Sequence, residues 1–267
     1  MDFQHSERAR KVMELVQRFV DERILPNEQT YLDQLAGSDD WRAWTIPPVM
    51  EELKAEAKEL GLWNLFLPDE PWGAGLDNRD YAPVAEITGR SFIAPEVFNC
   101  NAPDTGNMEL LHLFATPEQY ARWLRPLLEG EIRSAFAMTE PDVASSDATN
   151  IQTTIRREGD EYVINGRKWF ITNAAHPHCK LVILLGVSDD DENAPRHARH
   201  SMVLIPMDAP GLTLGRNIPV MNHVAPEGHC ELLFRNVRVP ASSLLGAQGQ
   251  GFAMAQARLG PGRIHHC

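Results

Sequence analysis

Over residues 7–24 the apolar positions Val12, Leu15, Val16, Phe19 and Val20 recur every three or four residues, which predicts an amphipathic helix with Pro26 just beyond as its stop. A second helix is expected to start at Pro47-Pro48, to bury Met50, Leu53, Ala57 and Leu60, and to end at Gly61, where a left-handed residue suits the position after the cap. Residues 68–75 crowd prolines and glycines too densely for regular structure and read as a loop, after which helical pattern resumes near Tyr81. Thr116-Pro117-Glu118-Gln119 supplies an N-cap threonine, a proline in the first turn and a glutamine able to complete a capping box, with Gly130 closing that helix. Residues 1–132 therefore read as an all-α domain.

The period changes at Arg133, where residues 134–138 open a region of short β-rich segments. Tyr162-Val163-Ile164 and Trp169-Phe170-Ile171-Thr172 flank Asn165-Gly166, a dipeptide suited to a two-residue hairpin turn because both positions tolerate positive φ. Further strands are expected at 181–185, 202–205 and 231–239, with an acidic loop at 189–192 between the first two. Residues 133–240 read as a β-barrel-like domain. After Gly249-Gln250-Gly251 the pattern is helical again, so 241–267 reads as the start of a third part. The class is α+β: an all-α N-terminal domain, a central β-barrel-like domain, and the first helix of a truncated C-terminal helical bundle.

Composition narrows this little: 267 residues, 43% hydrophobic and 23% charged, describe a folded chain with a sizeable core. Charge is more telling. With 25 Lys plus Arg against 37 Asp plus Glu, the net charge of -12 argues against non-specific binding to nucleic acid or to an anionic membrane. The basic pairs Arg156-Arg157 and Arg167-Lys168, and the group Arg196, His197, Arg199 and His200, read as solvated faces. Cys100, Cys179, Cys230 and Cys267 lie far apart with no C-x-x-C spacing, which fits a reducing compartment. Glu7, Glu14, Asp21 and Glu22 argue against a secretory or transit signal in that stretch, and no apolar run is long enough to span a bilayer. His176-Pro177-His178-Cys179 and His265-His266-Cys267 hold metal-ligating residue types without paired ligand spacing, so no metal site is expected.

Three segments, in order, carry a resemblance. Residues 136–147, Phe-Ala-Met-Thr-Glu-Pro-Asp-Val-Ala-Ser-Ser-Asp, are close to a T-E-P-x-A-G-S-D segment; residues 164–173 match I-N-G-x-K-x-W-I-T-N; and Val237-Arg238-Val239-Pro240 followed by Gly249-Gln250-Gly251-Phe252 match V-x-V-P and G-x-G-F. Together they resemble the acyl-CoA dehydrogenase family over essentially the whole chain. The longer wording at 142–146 and the run at 259–267 resemble the subgroup of family members 10 and 11.

That resemblance implies FAD as cofactor, an acyl-CoA thioester as substrate, and α,β-dehydrogenation to a trans-2-enoyl-CoA. It implies electron-transferring flavoprotein as acceptor, a homo-oligomer at full length, and a cytoplasmic protein, or a mitochondrial or peroxisomal one in a eukaryote. Phe136, Met138 and Thr139 would lie along the flavin; Ser145 and Ser146 would meet its pyrophosphate, with Ser146 also near the thioester arm. Phe170, standing where many relatives have tryptophan, would pack on the flavin with Ile171, and the Thr172 hydroxyl would approach it. Arg263 would lie near the acyl-CoA path. Each segment also has a plainer reading: a buried strand and turn at 136–141, a helix N-cap before Asp147, and a half-buried strand at 169–172. Glu140 reads as structural. One branch of relatives places its base directly before the arginine matched by Arg263, where this chain has Gly262, and most place it beyond Cys267; the chain is thus expected to lack the catalytic base and to be a fragment, inactive alone. A non-catalytic flavin- or CoA-binding module, and oxidase chemistry on the same scaffold, remain as alternatives.

Overall fold

The computed structural model describes residues 4–35, 40–188 and 194–265. Its contacts divide the chain into two compact units, one reaching Gly106 and including the end of the last helix from Leu259, the other spanning Asn107–Arg258. The segment 107–132, read from the sequence as part of the helical domain, thus groups with the strands. The acidic loop expected at 189–192, and His266 and Cys267, lie outside the described residues.

The first unit is helical. Its α1 (Glu7–Phe19) is capped by Ser6, whose Oγ accepts the Ala9 N–H at 3.0 Å and donates its own hydrogen to Asp80 at 2.6 Å. Ala9, Val16 and Phe19 are buried, while Leu15, one residue and 100° from Val16, is left 37% exposed at the edge of the stripe. Pro26 does not stop the helix as expected. Val20–Ile24 widens into a π turn, Leu25–Asn27 tightens into a 3-10 turn, and α2 (Glu28–Leu35) follows directly. Widening the coil ahead of the proline relieves the clash of its ring with the preceding turn, so only one N–H is lost.

α3 (Pro48–Glu59) begins on proline and is closed by Gly61 at φ +71°. Leu60 is 54% exposed, not buried: as the cap residue it has left the helix's apolar face. α4 (Asn78–Thr88) starts ahead of Tyr81 because Asp77 caps it, accepting the Asp80 N–H at 2.9 Å, and α5 (Ala94–Val97) follows. Phe19 meets Phe98 edge to face at 5.6 Å in this unit's core. Among the described residues no helix is long and apolar enough to cross a membrane.

α6 (Asp104–Phe114) carries the chain into the second unit. There α7 (Pro117–Gln119) has the expected capping box with Thr116, runs through a second π turn at Tyr120–Leu124, again just ahead of a proline, and continues as α8 (Arg125–Glu129), closed by Gly130 at φ +74°. The strands are β1 (Arg133–Ala137), β2 (Thr154–Glu158), β3 (Glu161–Thr172), β4 (Cys179–Val187), β5 (His200–Pro206), β6 (Leu212–Asn217), β7 (His229–Pro240) and β8 (Leu244–Leu245), followed by α9 (Gly251–His265). They form one sheet in the order β6-β7-β3-β2-β4-β5-β8, with β1 parallel to β4. Its ends, β6 and β8, are not paired with each other among the described residues, so the barrel-like domain is open at that seam. β4 and β5 are buried along most of their length, hence apolar at consecutive positions and not alternating.

The hairpin expected at Asn165-Gly166 is not there. β3 runs straight through that dipeptide, and the turn lies earlier, at Gly159-Asp160, between the paired residues Glu158 and Glu161, with Gly159 at φ +62°. Asn165 and Gly166 sit at an irregularity where β3 shifts register against β7. Asn165 is held by Asn236, donating to its Oδ1 at 3.1 Å and accepting its N–H at 2.8 Å. Position 166 needs glycine for space: a Cβ there would come within 2.3 Å of Thr153 Oγ1.

Candidate functional site

A second irregularity in β3, between Lys168 and Ile171, shapes the site. An extra residue in a strand re-aims side chains, and here Lys168 is 0% and Ile171 1% exposed while Phe170 between them turns outward, 43% exposed. Phe170 adopts φ +52°, a left-handed conformation that L residues with bulky side chains rarely occupy. Its ring meets Trp169 edge on, centroids 4.9 Å apart. Ile171, expected beside the cofactor, has its side chain in the core, since alternation after the bulge points it away from Phe170 and Thr172. Thr172 is half-buried, paired in register with His229, and its Oγ1 lies 3.0 Å from His229 Nδ1.

The end of β1 is stitched to this bulge. Thr139 Oγ1 donates to the Trp169 carbonyl at 2.6 Å, and the Trp169 N–H donates to the Thr139 carbonyl at 3.1 Å. The Thr139 hydrogen is therefore spent inside the protein. Beneath it, Lys168 Nζ donates to the carbonyls of Met138 and Leu185, each at 2.7 Å, and to Glu140 Oε1 at 2.9 Å. Glu140, 5% exposed, also accepts the main-chain N–H groups of Gln152 at 2.8 Å and Thr153 at 2.9 Å. Burial works against ionisation of Glu140, but the Lys168 ammonium and these donors hold its carboxyl below the usual range. Burial pulls Lys168 down to about 8. The two shifts oppose one another, and geometry decides in favour of the ion pair: a neutral amine has two N–H groups and would turn its lone pair on one of three acceptors. Glu140 is thus a brace and, as expected, structural.

Lys168 and His200 correct the reading of the basic clusters as solvated. His200 is 2% exposed, and burial pushes its pKa down, with the main chain of Ile151 pulling it back up. Strand alternation and the bulge send Lys168 inward while Arg167, next to it, pairs with Glu231 at 2.6 Å.

The two serines have different positions. Ser145 is buried, its Oγ accepting the Glu140 N–H at 2.9 Å and facing the Glu140 carbonyl at 3.3 Å, so it closes the turn. Ser146 is exposed. The cap of the following Ala148–Asn150 turn is Asp147 itself, which accepts the Thr149 N–H at 3.0 Å and pairs with Arg196 at 2.8 Å.

Phe136 is half-buried, with the Arg258 guanidinium 4.0 Å over its ring. Arg258 Nε donates to Asn107 Oδ1 at 2.9 Å, and Asn107 Nδ2 donates to Ser134 Oγ at 2.8 Å, tying α9 and α6 to β1. Glu109, two residues beyond Asn107 on α6, is pushed up to about 7 by burial, with Arg258 pulling it back. Arg263 is exposed on the part of α9 that groups with the other unit. The structure thus brings Thr139 and Phe170 against Trp169, while the Met138 carbonyl is held by Lys168 and Thr172 pairs with His229. Sequence reading missed His229, Arg258 and Asn107, whose roles depend on cross-strand and helix-to-strand pairing that no local pattern signals. Among the described residues no group of three or more His, Cys, Asp or Glu side chains is placed to hold a metal; His178 N–H instead donates to His176 Nδ1 at 3.1 Å.

A planar ligand with an apolar face and a polar rim suits this arrangement: an exposed aromatic ring on a left-handed backbone, with a half-buried threonine two residues further along the strand. Comparison with known proteins agrees. Residues 6–131 match the family model described as acyl-CoA dehydrogenase, N-terminal domain, and residues 135–237 that described as acyl-CoA dehydrogenase, middle domain. The chain is 56% identical to a probable acyl-CoA dehydrogenase, FadE2, of Mycobacterium tuberculosis over 100% of its own length and 64% of that protein's. It is 50% identical to acyl-CoA dehydrogenase family member 11 of Gallus gallus over 99% of its length and 34% of that protein's. Among solved structures it is similar to a putative acyl-CoA dehydrogenase from Mycobacterium abscessus, with TM-score 0.93 and 53% identity over 98% of this chain and 66% of that one. An FAD complex of PigA has TM-score 0.78 and 26% identity, covering 97% of this chain and 63% of that one. The chain thus spans about two thirds or less of these proteins' lengths.

Proposed function

The chain belongs to the acyl-CoA dehydrogenase family, and from that premise we propose that it carries the flavin-facing wall of an enzyme that oxidises an acyl-CoA thioester to its trans-2-enoyl product. The observation that carries this reading is Phe170, a left-handed residue at a bulge that holds an aromatic ring out of the sheet two residues before Thr172. Backbone strain of that kind persists only where surrounding structure holds it, and such positions cluster at ligand sites.

FAD is the cofactor these residues fit. When bound it would supply the acceptor for the hydride leaving the substrate β-carbon, and the α-proton would pass to a carboxylate base for which no residue of this wall is proposed. Phe170 would stack on its ring and the Thr172 hydroxyl would meet its polar edge, while the Thr139–Trp169 stitch with the Lys168–Glu140 brace beneath holds that wall rigid. Ser146, exposed on the turn closed by Ser145, is the hydroxyl left to meet the pyrophosphate or the thioester arm. Phe136 and Met138 would lie along the flavin with Thr139. Electron-transferring flavoprotein as the acceptor and a homo-oligomer belong to the same proposal for the full-length enzyme.

Titrating the purified protein with FAD, and following the flavin spectrum as saturated acyl-CoA thioesters of increasing length are added without oxygen, tests the reading. Flavin binding that depends on Phe170 supports it. Absence of any flavin binding refutes it.

A further inference from the structure

The two threonines assigned to the cofactor face differ in where their hydroxyl hydrogens can go. Thr139 spends its own on the Trp169 carbonyl at 2.6 Å. Thr172 lies 3.0 Å from His229 Nδ1, and which of them donates depends on where the imidazole carries its proton. If Nε2 is protonated, Nδ1 is an acceptor and consumes the Thr172 hydrogen. If Nδ1 is protonated, it donates to Oγ1, and the threonine hydrogen is free to point away from the sheet.

The backbone that carries the imidazole is fixed in the sheet. Its residue is the register partner of Thr172 across β3 and β7. Its main chain is fixed on the opposite side, where His229 N–H donates to Asn217 Oδ1 at 2.9 Å and its carbonyl accepts the Ile218 N–H at 3.1 Å. A ring on a backbone fixed this way, with Nδ1 within hydrogen-bond distance of Thr172 Oγ1, can set the direction of that hydroxyl, as groups behind a first layer of contacts commonly do.

We propose that His229 is a positioning residue that carries its proton on Nδ1, donates to Thr172 Oγ1, and so turns the Thr172 hydrogen toward the polar edge of the flavin. The inference rests on the flavin reading given above. It assigns His229 no contact with substrate and no part in proton transfer.

The test is a double-mutant cycle on the purified protein with FAD as the probe, using His229→Leu, Thr172→Val and both together, read by the FAD dissociation constant and by the visible spectrum of bound flavin. Each single change weakens binding about three- to tenfold, the worth of one hydrogen bond, and the double variant is no weaker than either single one. His229→Asn, whose Nδ2–H can donate from nearly the same place, returns affinity to within about twofold of the unaltered protein. Nitrogen-15 NMR of the flavin-bound protein shows Nδ1 of His229 protonated. Additive single effects, wild-type affinity in His229→Leu, or a ring protonated on Nε2 alone in the bound state overturns the proposal. Where His229→Leu does not fold, the asparagine variant and the NMR signal decide. Failure of the unaltered protein to bind FAD removes the flavin reading and this one together; binding without coupling removes only the role of His229.

Discussion

Phe170 offers a test in which stability and ligand binding move in opposite directions. Phe170→Gly relieves a left-handed backbone that costs a non-glycine residue about 1–2 kcal/mol. Against this, a ring 43% exposed gives up about half of the roughly 1.5–3 kcal/mol that full burial of phenylalanine provides. The edge contact with Trp169 adds about 0.5–1.5 kcal/mol, and glycine's extra freedom in the unfolded chain about 0.5–1 kcal/mol. The net loss is about 1 kcal/mol. Phe170→Ala loses the same packing and keeps the strain, for a loss of about 2 kcal/mol.

The diagnostic is therefore the order of the two variants. At an ordinary strand position alanine is the more stable by about 0.5–1 kcal/mol; at position 170 glycine should be. Urea unfolding of the flavin-free protein, extrapolated to water, measures both. FAD affinity should fall in both alike, since both lack the ring. An alanine variant more stable than the glycine variant would refute the strained geometry, and unchanged FAD affinity in both would refute the stacking role.

Lys168→Met leaves Glu140 charged and buried and should cost about 3–5 kcal/mol, whereas the double change with Glu140→Gln should cost much less than the sum; additive costs in urea unfolding would sink the buried-brace account. Because the Glu140 carboxyl is held below the usual range, its contribution is present above the unfolded glutamate value of about 4.3 and is lost as pH falls through the lower folded value, so Glu140→Gln should flatten the acid limb of stability against pH. Glu109 has the opposite sign: raised to about 7, it keeps a proton that the unfolded chain has lost, so stability falls as pH rises from about 4.3 toward 7. Glu109→Gln should remove that slope and be more stable than the unaltered protein at pH 8, and parallel curves for the two proteins would contradict the buried carboxyl.

What was legible in the sequence was local. The capping box at Thr116 and Gln119 and the helix-closing glycines Gly61 and Gly130 depend on residues a few positions apart, and all three appear as expected. Pro26 misled because a π turn, formed by tertiary demand, can absorb a proline that propensity treats as a stop. Asn165-Gly166 misled for a deeper reason: its turn chemistry is genuine, but β3 is held extended by β7 along its length, and the dipeptide's tolerance of unusual backbone serves a register shift. The actual turn, at Gly159-Asp160, carries a similar dipeptide signal just ahead of the same strand.

The same strand explains why the candidate residues divide as they do. Motif wording marks Thr139, Ser145, Phe170, Ile171 and Thr172 alike, yet the folded chain closes the Thr139 and Ser145 hydroxyls on neighbouring main chain and turns Ile171 inward. Without the irregularity between Lys168 and Ile171, strict alternation would put Lys168, Phe170 and Thr172 on one face, and a buried lysine would share its side of the sheet with the outward ring. The bulge separates them, sending Lys168 down to Glu140 and Phe170 out, so one local distortion builds both the brace and the exposed wall. A motif that must encode the distortion together with both of its products cannot tell a scaffold residue from a contacting one. Only the partners can: Glu140 for Lys168, Trp169 for Thr139, and His229 for Thr172.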